Sequence, residues 1–523
     1  MSDRFPLEPP GPLSQSLVWT LQRSAYETRG PEGWSSGEVP DYATTNPYFV
    51  GAYAAVLLGY VRDCQQRPDF DPGEPVHIVE VGAGPGRFGF RLVTELLERH
   101  ARSRVRDVAI RYVLTDLAEA NVAFWRSHPR LVPLIEAGIV DVARFDLVHD
   151  EAIELQVSGT TLGPGLGTNP GAVVANYIFD SIPQDLFRVR GDEVVARHAV
   201  ATASDREPDL TDPTLLRRVV MEWEDAPLDR SGLDDPTLAI IDGYGRDLDD
   251  GTTLLLPTVA IRCIDRMARW WDDRMLLLSS DKAFASEDEQ LTQEEPEVEY
   301  HGGAFSMMVD FRTIGAWFRE RGGSSHLLDR PSRLNVSASL LGFDGDAAIE
   351  TEGAFHLAIH EADPIDFYST VLEGAKHEVD ISRFLALVRL TGGDSVVFLT
   401  HLPMVGDQIR DIDVDGRREL DRVLHLVWDR YYPVSESTDL AYYLSYAFHE
   451  LGDLPTAIEM LHHSLEIYGP TGWTLYNLAQ CLQEVGDVDA AEEVARRAQE
   501  HDEARDEATA MLAAIAEARA TGD

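Results

Sequence analysis

Apolar positions along the chain keep changing their period. Around residues 17–26, and again from Pro47 through Val61, they recur at helical spacing, with Thr45 or Asn46 as a cap ahead of the proline. Short β-branched runs then alternate with helical ones: strands at 76–81, 110–115, 139–145 and 172–175, helices at 89–100 and 118–127. Strands separated by helical segments predict a parallel sheet with helices on both faces, an α/β, Rossmann-like core. An acidic stretch over 204–273, with helical patterns at 215–223 and 257–271, reads as a large insertion into that core. The buried-strand pattern returns at 275–279, a helix follows at 311–321 and ends at Gly322-Gly323, and a last strand is predicted at 334–341.

After Gly342 only helical patterns remain, at 364–376, 381–390 and 417–432, and then the chain repeats itself. Leu451-Gly452-Asp453 recurs as Val485-Gly486-Asp487, Leu444 as Leu478, Ala457 as Ala491 and Ser464 as Ala498, every pair 34 residues apart. Two helix-turn-helix units of this length resemble tetratricopeptide repeats, which implies a surface that holds a protein partner or substrate. The expected organisation is an N-terminal arm over 1–45, with a turn at 30–33, and a sheet domain over 46–343. A helical linker or degenerate repeats over 344–435 and the repeats over 436–520 complete it.

Length and charge narrow the function classes. A chain of 523 residues exceeds what one core organises, and 44% hydrophobic residues is ordinary for a globular protein. The formal charge of −45 repels phosphates, which argues against nucleic acid and anionic membranes as partners. The chain shows neither a long apolar run nor a basic-then-apolar N-terminus, so a cytoplasmic location is expected. Three distant cysteines, Cys64, Cys263 and Cys481, give no disulfide or zinc spacing, and no metal is expected. His301, His401, His449 and His462-His463 likewise lack ligand spacing, and the Trp270-Trp271 and Met307-Met308 pairs read as packing. Lys282 and Lys376 are the only lysines.

The chemistry concentrates in Glu80-Val-Gly82-Ala-Gly84-Pro-Gly86-Arg87, where a buried strand enters a glycine-rich turn that opens a helix. Glycines at Gly82, Gly84 and Gly86 let the backbone approach a ligand at the strand's carboxyl end. A dinucleotide site expects GxGxxG and a helix N-terminus aimed at pyrophosphate. GxGxG preceded by an acid resembles instead motif I of class I methyltransferases, which implies S-adenosylmethionine as cofactor. Glu80 suits its cationic amino-acid end and would repel a diphosphate. Asp116, ending the second strand, is placed to accept the ribose hydroxyls; Asp146, after the third, to accept the adenine amino group, with Phe145 stacking nearby.

The fourth strand runs into Asn176-Tyr177-Ile178-Phe179-Asp180-Ser181-Ile182-Pro183. With the glycine turn, this is similar to the MidA-like methyltransferase family, which includes the mitochondrial complex I assembly arginine methyltransferase. Three further segments fit: 40–47 beside the cofactor, Leu276 to Asp281 as a fifth strand, and His301-Gly302-Gly303 through Met308-Val309-Asp310-Phe311 ahead of the late helix. The resemblance implies methyl transfer, with Asn176 in the cofactor cleft. The family's acid after that asparagine is Tyr177 here, which leaves arginine in question as the acceptor. Tyr177 and Asp180 are the candidates to position or deprotonate an acceptor, because methyl transfer needs alignment and water exclusion more than acid catalysis. A protein side chain is the expected acceptor; a non-catalytic scaffold or assembly factor and a small-molecule methyltransferase are the alternatives.

Overall fold

Five of the six residues in Val76–Val81 are buried, as a strand covered on both faces requires. In the computed structural model this strand, β1, is central to a sheet that also contains β2 (Ile110–Asp116), β3 (Val140–Arg144), β4 (Gly171–Asn176), β5 (Met275–Phe284), β6 (Ser324–Leu327) and β7 (Leu334–Leu341). The structure describes residues 4–28, 30, 42–206, 208–210, 212, 214–286, 296, 298–301, 304–328, 334–372, 379–434 and 436–521. Residues 31–33, Pro40, Asp41, Gly302, Gly303 and the end of the predicted 364–376 helix lie outside them.

The strands lie in the order 3-2-1-4-5-7-6; β1 to β5 are parallel, and β7 runs antiparallel to both neighbours. The order reverses between β1 and β4, so a crevice opens outside the carboxyl ends of the strands at that point. Register carries Val81 beside Thr115 on one side and Ala175 on the other, and Asn176 beside Ser280. Glu80, Asp116, Asn176 and Ser280 therefore reach the same edge of the sheet.

Four helices bear on the site: α1 (Leu17–Thr28), α2 (Arg87–Ala101), α3 (Thr258–Ala268) and α4 (Phe311–Glu320). Helix α2 starts two residues ahead of the predicted 89–100, because Gly86 in the left-handed region turns the chain straight into it. The 257–271 segment does not belong to an insertion. Helix α3 and the fully buried Trp270 and Trp271 pack with Val79, Val173 and Leu277 of the sheet, in one core that also takes Trp317 of α4.

The excursion from the sheet is instead an antiparallel layer of Asp185–Arg190, Glu193–Ala203, Val220–Ala226 and Thr253–Leu256, joined by Phe5–Pro6 and Gly11–Pro12 of the N-terminal arm. Only Leu215–Arg218 of the expected 215–223 helix is helical, as a single turn. From Val220 onward the exposed and half-buried residues alternate, Met221 and Trp223 facing inward between Val220, Glu222 and Glu224. That period of two belongs to a strand.

The chain divides into two compact units, one of Met1–Thr45 with Phe49–Ile365, the other of Asn46–Tyr48 with Asp366–Asp523. The division falls beyond the expected residue 343 because helix Ile349–Phe355 stays with the first unit. The buried Asp63 carboxylate accepts the Thr351 N–H at 2.8 Å and its hydroxyl at 2.6 Å.

Among its described residues, the second unit is helical wherever it forms regular structure. Its last pairs, Leu440–Leu451 with Leu454–Tyr468 and Gly472–Glu484 with Val488–Gln499, express the 34-residue period physically. Gly452 and Gly486 both take positive φ, at 83° and 91°, where each first helix ends. Asp453 and Asp487 then cap each second helix, accepting the N–H groups of Thr456 and Ala490. Leu444, Leu478, Ala457, Ala491, Ser464 and Ala498 are all buried. Among the described residues no helix is long and apolar enough to cross a membrane.

Candidate active site

Beyond β1 the chain turns into α2 through Gly82, Gly84 and Gly86, with φ of 63°, 56° and 86°. A side chain is strained at such angles, and at Gly82 a Cβ would also overlap the Cδ1 of Ile178, in the segment after β4. The turn is tied to its surroundings: the Ala83 N–H donates to the Thr115 carbonyl at 2.9 Å and the Trp125 indole to the Gly84 carbonyl at 3.0 Å. The Gly84 N–H donates to Oδ2 of Asp116 at 2.9 Å, and the Ala118 N–H to its Oδ1 at 2.8 Å. Burial raises the Asp116 carboxyl to about 6, against the pull of these N–H bonds.

Glu80, 5% exposed, accepts the Tyr112 hydroxyl at 2.8 Å. Its carboxyl occupies space that a side chain at Gly89 would fill. Burial pushes it up to about 8, the charge of Asp116 adding to this and the Tyr112 bond opposing it. The sequence pictures an acid ready to meet a cation; the folded protein holds it mostly protonated at neutral pH.

At the end of β3 the aromatic ring is anchored in the core. Phe145 is 2% exposed and packs edge-on against Trp270, with ring centroids 5.7 Å apart. The ring is thus part of the core beneath the cavity that Phe145 also lines. Asp146 accepts the Val148 N–H at 3.0 Å, pairs with Arg23 of α1, and lies 2.9 Å from His149 Nδ1. Burial penalises its charge, yet the Arg23 and His149 hydrogen bonds outweigh that and hold the carboxyl below the usual carboxylate range. Arg23 and His149 have no sequence signal beyond their types.

At the end of β4, Asn176 Oδ1 accepts the Tyr53 hydroxyl at 2.9 Å, the Ser280 N–H at 3.1 Å and the Ser280 hydroxyl at 3.0 Å. Its Nδ2 is buried without a protein partner. Tyr177 follows with φ of 54°, an unusual left-handed angle for an aromatic residue, its N–H donating to the Ser280 carbonyl at 2.9 Å.

Asp180, 3% exposed, accepts the Ser181 hydroxyl at 2.7 Å. Beside it lies a residue the sequence reading does not single out: the fully buried Asp281 accepts the N–H groups of Phe179 at 2.9 Å and Asp180 at 3.2 Å on Oδ2, and that of Lys282 at 2.9 Å on Oδ1. Lys282 pairs with Glu299 and lies 3.3 Å from the Ser306 hydroxyl. The signal was available, since Asp281 and Lys282 are charges that follow the strand pattern read at 275–279.

These groups surround one cavity of about 840 Å³, of a size that holds a small-molecule ligand. Glu80, Gly82, Gly84, Asp116, Phe145, Asp146, Asn176, Tyr177 and Asp180 line it; Gly86 does not, sitting instead at the start of α2. Trp19, Gln22, Arg23 and Tyr26 of α1 line it from the arm, together with Thr44 and Thr45 of the segment expected beside the cofactor. Gln22 fixes α1 in place, donating to the Ser181 carbonyl at 2.9 Å and accepting the Phe305 N–H at 2.8 Å. The histidines set aside earlier include His401, which is buried with Nδ1 2.9 Å from the Val397 carbonyl one turn back on its helix.

Residues 437–504 match the tetratricopeptide repeat family. Among solved structures, the chain is similar to a native COG1565 superfamily protein from Burkholderia thailandensis, at 16% identity and a TM-score of 0.40. That match covers 65% of this chain and 90% of the other. A COG1565 superfamily member from Burkholderia thailandensis bound to S-adenosyl-homocysteine matches over the same shares, at 14% identity and a TM-score of 0.42. The DhpI-SAM-HEP complex matches at 9% identity and a TM-score of 0.26, over 62% of this chain and 97% of the other. Comparison with curated proteins gives no match.

Proposed function

We propose that the chain is an S-adenosylmethionine-dependent methyltransferase acting on a nitrogen of a protein side chain, with its repeats holding the protein that carries it. One observation carries the first part. The positive-φ glycine turn opens onto a cavity where Glu80, Asp116 and Asn176, whose buried Nδ2 has no protein partner, converge from three adjacent strand ends. An acid for an ammonium group, an acid for hydroxyls and a buried donor without a partner fit the chemistry of this ligand. S-adenosylmethionine supplies a methyl group on a sulfonium, which departs as a neutral sulfide. In this reading Glu80 meets the amino-acid end, Asp116 the ribose, and Asp146 the adenine side of the cleft. Tyr177 and Asp180 orient the acceptor, and α1 keeps water out of the reacting space.

The repeats support a protein acceptor, since stacked helix pairs offer a concave surface for peptides. Arginine is one acceptor among several, because Tyr177 stands where the resembled family carries an acid. A second reading, a scaffold that binds without turnover, is favoured by the same tyrosine and by Asp146 being already paired with Arg23 and His149.

Calorimetric titration of the full chain with S-adenosylmethionine and S-adenosylhomocysteine tests the proposal, with Gly84→Asp as the control that charges and fills the turn. Binding lost in the control supports the cleft, and transfer of labelled methyl to protein then separates enzyme from scaffold. Absence of binding in the unmutated chain overturns the proposal.

A further inference from the structure

The first helices of the two repeats share one face. Across it the Asn477 side-chain amide donates to the Tyr442 hydroxyl at 3.1 Å, and His449 Nε2 lies 3.0 Å from Glu484 Oε1. Both contacts join residues 35 apart, so Leu440–Leu451 and Gly472–Glu484 lie side by side in one register. Tyr446 stands one turn from both Tyr442 and His449, and Trp473 one turn ahead of Asn477, which puts both rings on this face. They are 38% and 40% exposed, whereas every other large apolar residue of the two helices is buried or half-buried.

The charge of the repeats is one-sided. Between Arg430 and Arg496 the chain has eleven Asp or Glu and neither Lys nor Arg. Such a surface repels phosphates and carboxylates and attracts cations. The face already holds one guanidinium: Arg410, from the segment before the repeats, donates to Glu450 at 2.7 and 2.6 Å, one turn beyond Tyr446. Glu450 is thereby engaged, while the Glu484 side chain, beside His449 and Gln480, stays 42% exposed.

Guanidinium groups stack on aromatic rings and pair with carboxylates at the same time. By the 35-residue register Trp473 lies level with Thr438, eight residues before Tyr446, so the two rings are about 12 Å apart along the helix axis. That exceeds what one cation bridges and matches about four residues of extended chain.

We propose that this face binds an extended, arginine-bearing peptide segment of the partner protein, with one guanidinium over Trp473 and another over Tyr446 beside Glu484. The inference rests on the reading of the repeats as the part that holds the partner. Charge decides against nucleic acid, which the same acids repel.

The probe is a short fluorescein-labelled glycine peptide with arginine at about every fourth position; its control carries glutamate at those positions. Fluorescence anisotropy with the full chain, without cofactor, reads binding. The arginine peptide is expected to bind and the glutamate peptide not, and Trp473→Ala to weaken binding about five- to tenfold. If Trp473→Ala fails to fold, Tyr446→Ala is expected to weaken binding similarly. Neither substitution changes the charge of the chain, so both separate this face from general attraction to an acidic protein. Absence of binding by the arginine peptide overturns the inference, as does an affinity unmoved in a folded variant. The methyltransferase reading fails separately: peptide binding by a chain that does not bind S-adenosylmethionine overturns that reading and supports this one.

Discussion

The Gly84 N–H donates to the Asp116 carboxylate at 2.9 Å, joining the turn after β1 to the end of β2. The two residues are 32 positions apart, and the bond makes the proposed ribose acid part of the scaffold that shapes the glycine turn. Asp116→Asn retains one carbonyl oxygen for two N–H donors, Gly84 and Ala118. One donor then faces an amide NH₂. A loss of about 1–3 kcal/mol of stability is expected, together with weaker S-adenosylmethionine binding, measured by denaturant unfolding and calorimetry.

Gly82→Ala meets two obstacles, a φ of 63° and the Ile178 side chain. The strain costs on the order of 1–3 kcal/mol, and cofactor affinity should fall. Adding Ile178→Ala relieves the overlap but not the dihedral. The double variant should therefore recover part of the stability in thermal unfolding; full recovery would show that φ contributes nothing.

The pH dependence of Glu80 has a definite sign. Its carboxyl rises from 4.5 to about 8 on folding, so between those values the folded state holds a proton that the unfolded state has lost. Stability from this group is full below the unfolded value and lost as pH rises through the folded one. Glu80→Gln should flatten the fall in stability across this window relative to the unmutated chain, by at most about 5 kcal/mol. Binding of a cationic amino-acid end requires the ionised form, so affinity should increase with pH toward 8 in the unmutated protein and not in the variant.

Arg23 of α1 pairs with Asp146 at the edge of the cleft. The guanidinium is partly exposed, so Arg23→Ala should change global stability by less than about 1 kcal/mol. Its effect is expected in kinetics: faster cofactor release in stopped-flow measurements, if α1 restrains the ligand through this contact.

In the helical unit, Asp453→Ala and Asp487→Ala each remove an N-cap from corresponding positions of the two repeats. Each is expected to cost about 1 kcal/mol, read by thermal unfolding. Similar losses at the two sites would reflect their equivalence in the repeat.

The elements of the sheet were legible because their signals are local. A β-branched run entering GxGxG identifies β1 and its turn, since few side chains tolerate positive φ and a buried strand needs apolar residues on both faces. The 34-residue period was equally plain, because each repeat needs the same glycine, cap and small residues where its helices touch. The antiparallel layer was harder to read. Its strand Val220–Ala226 is rich in charge and only weakly apolar, and its partner is 18 to 30 residues away in sequence by register.

The sequence by itself determined which acids stand at the strand ends and that they fall in series around a glycine turn. Tertiary structure decided what surrounds them. Burial and the nearby Asp116 raise the Glu80 carboxyl against the Tyr112 hydrogen bond, Arg23 from the arm reaches Asp146, Trp270 packs against the Phe145 ring in the core, and Asp281 accepts the Asp180 N–H from the neighbouring strand. A residue's type and period follow from its neighbours in the chain, whereas the charge it carries depends on solvent exclusion and on partners brought in from distant positions.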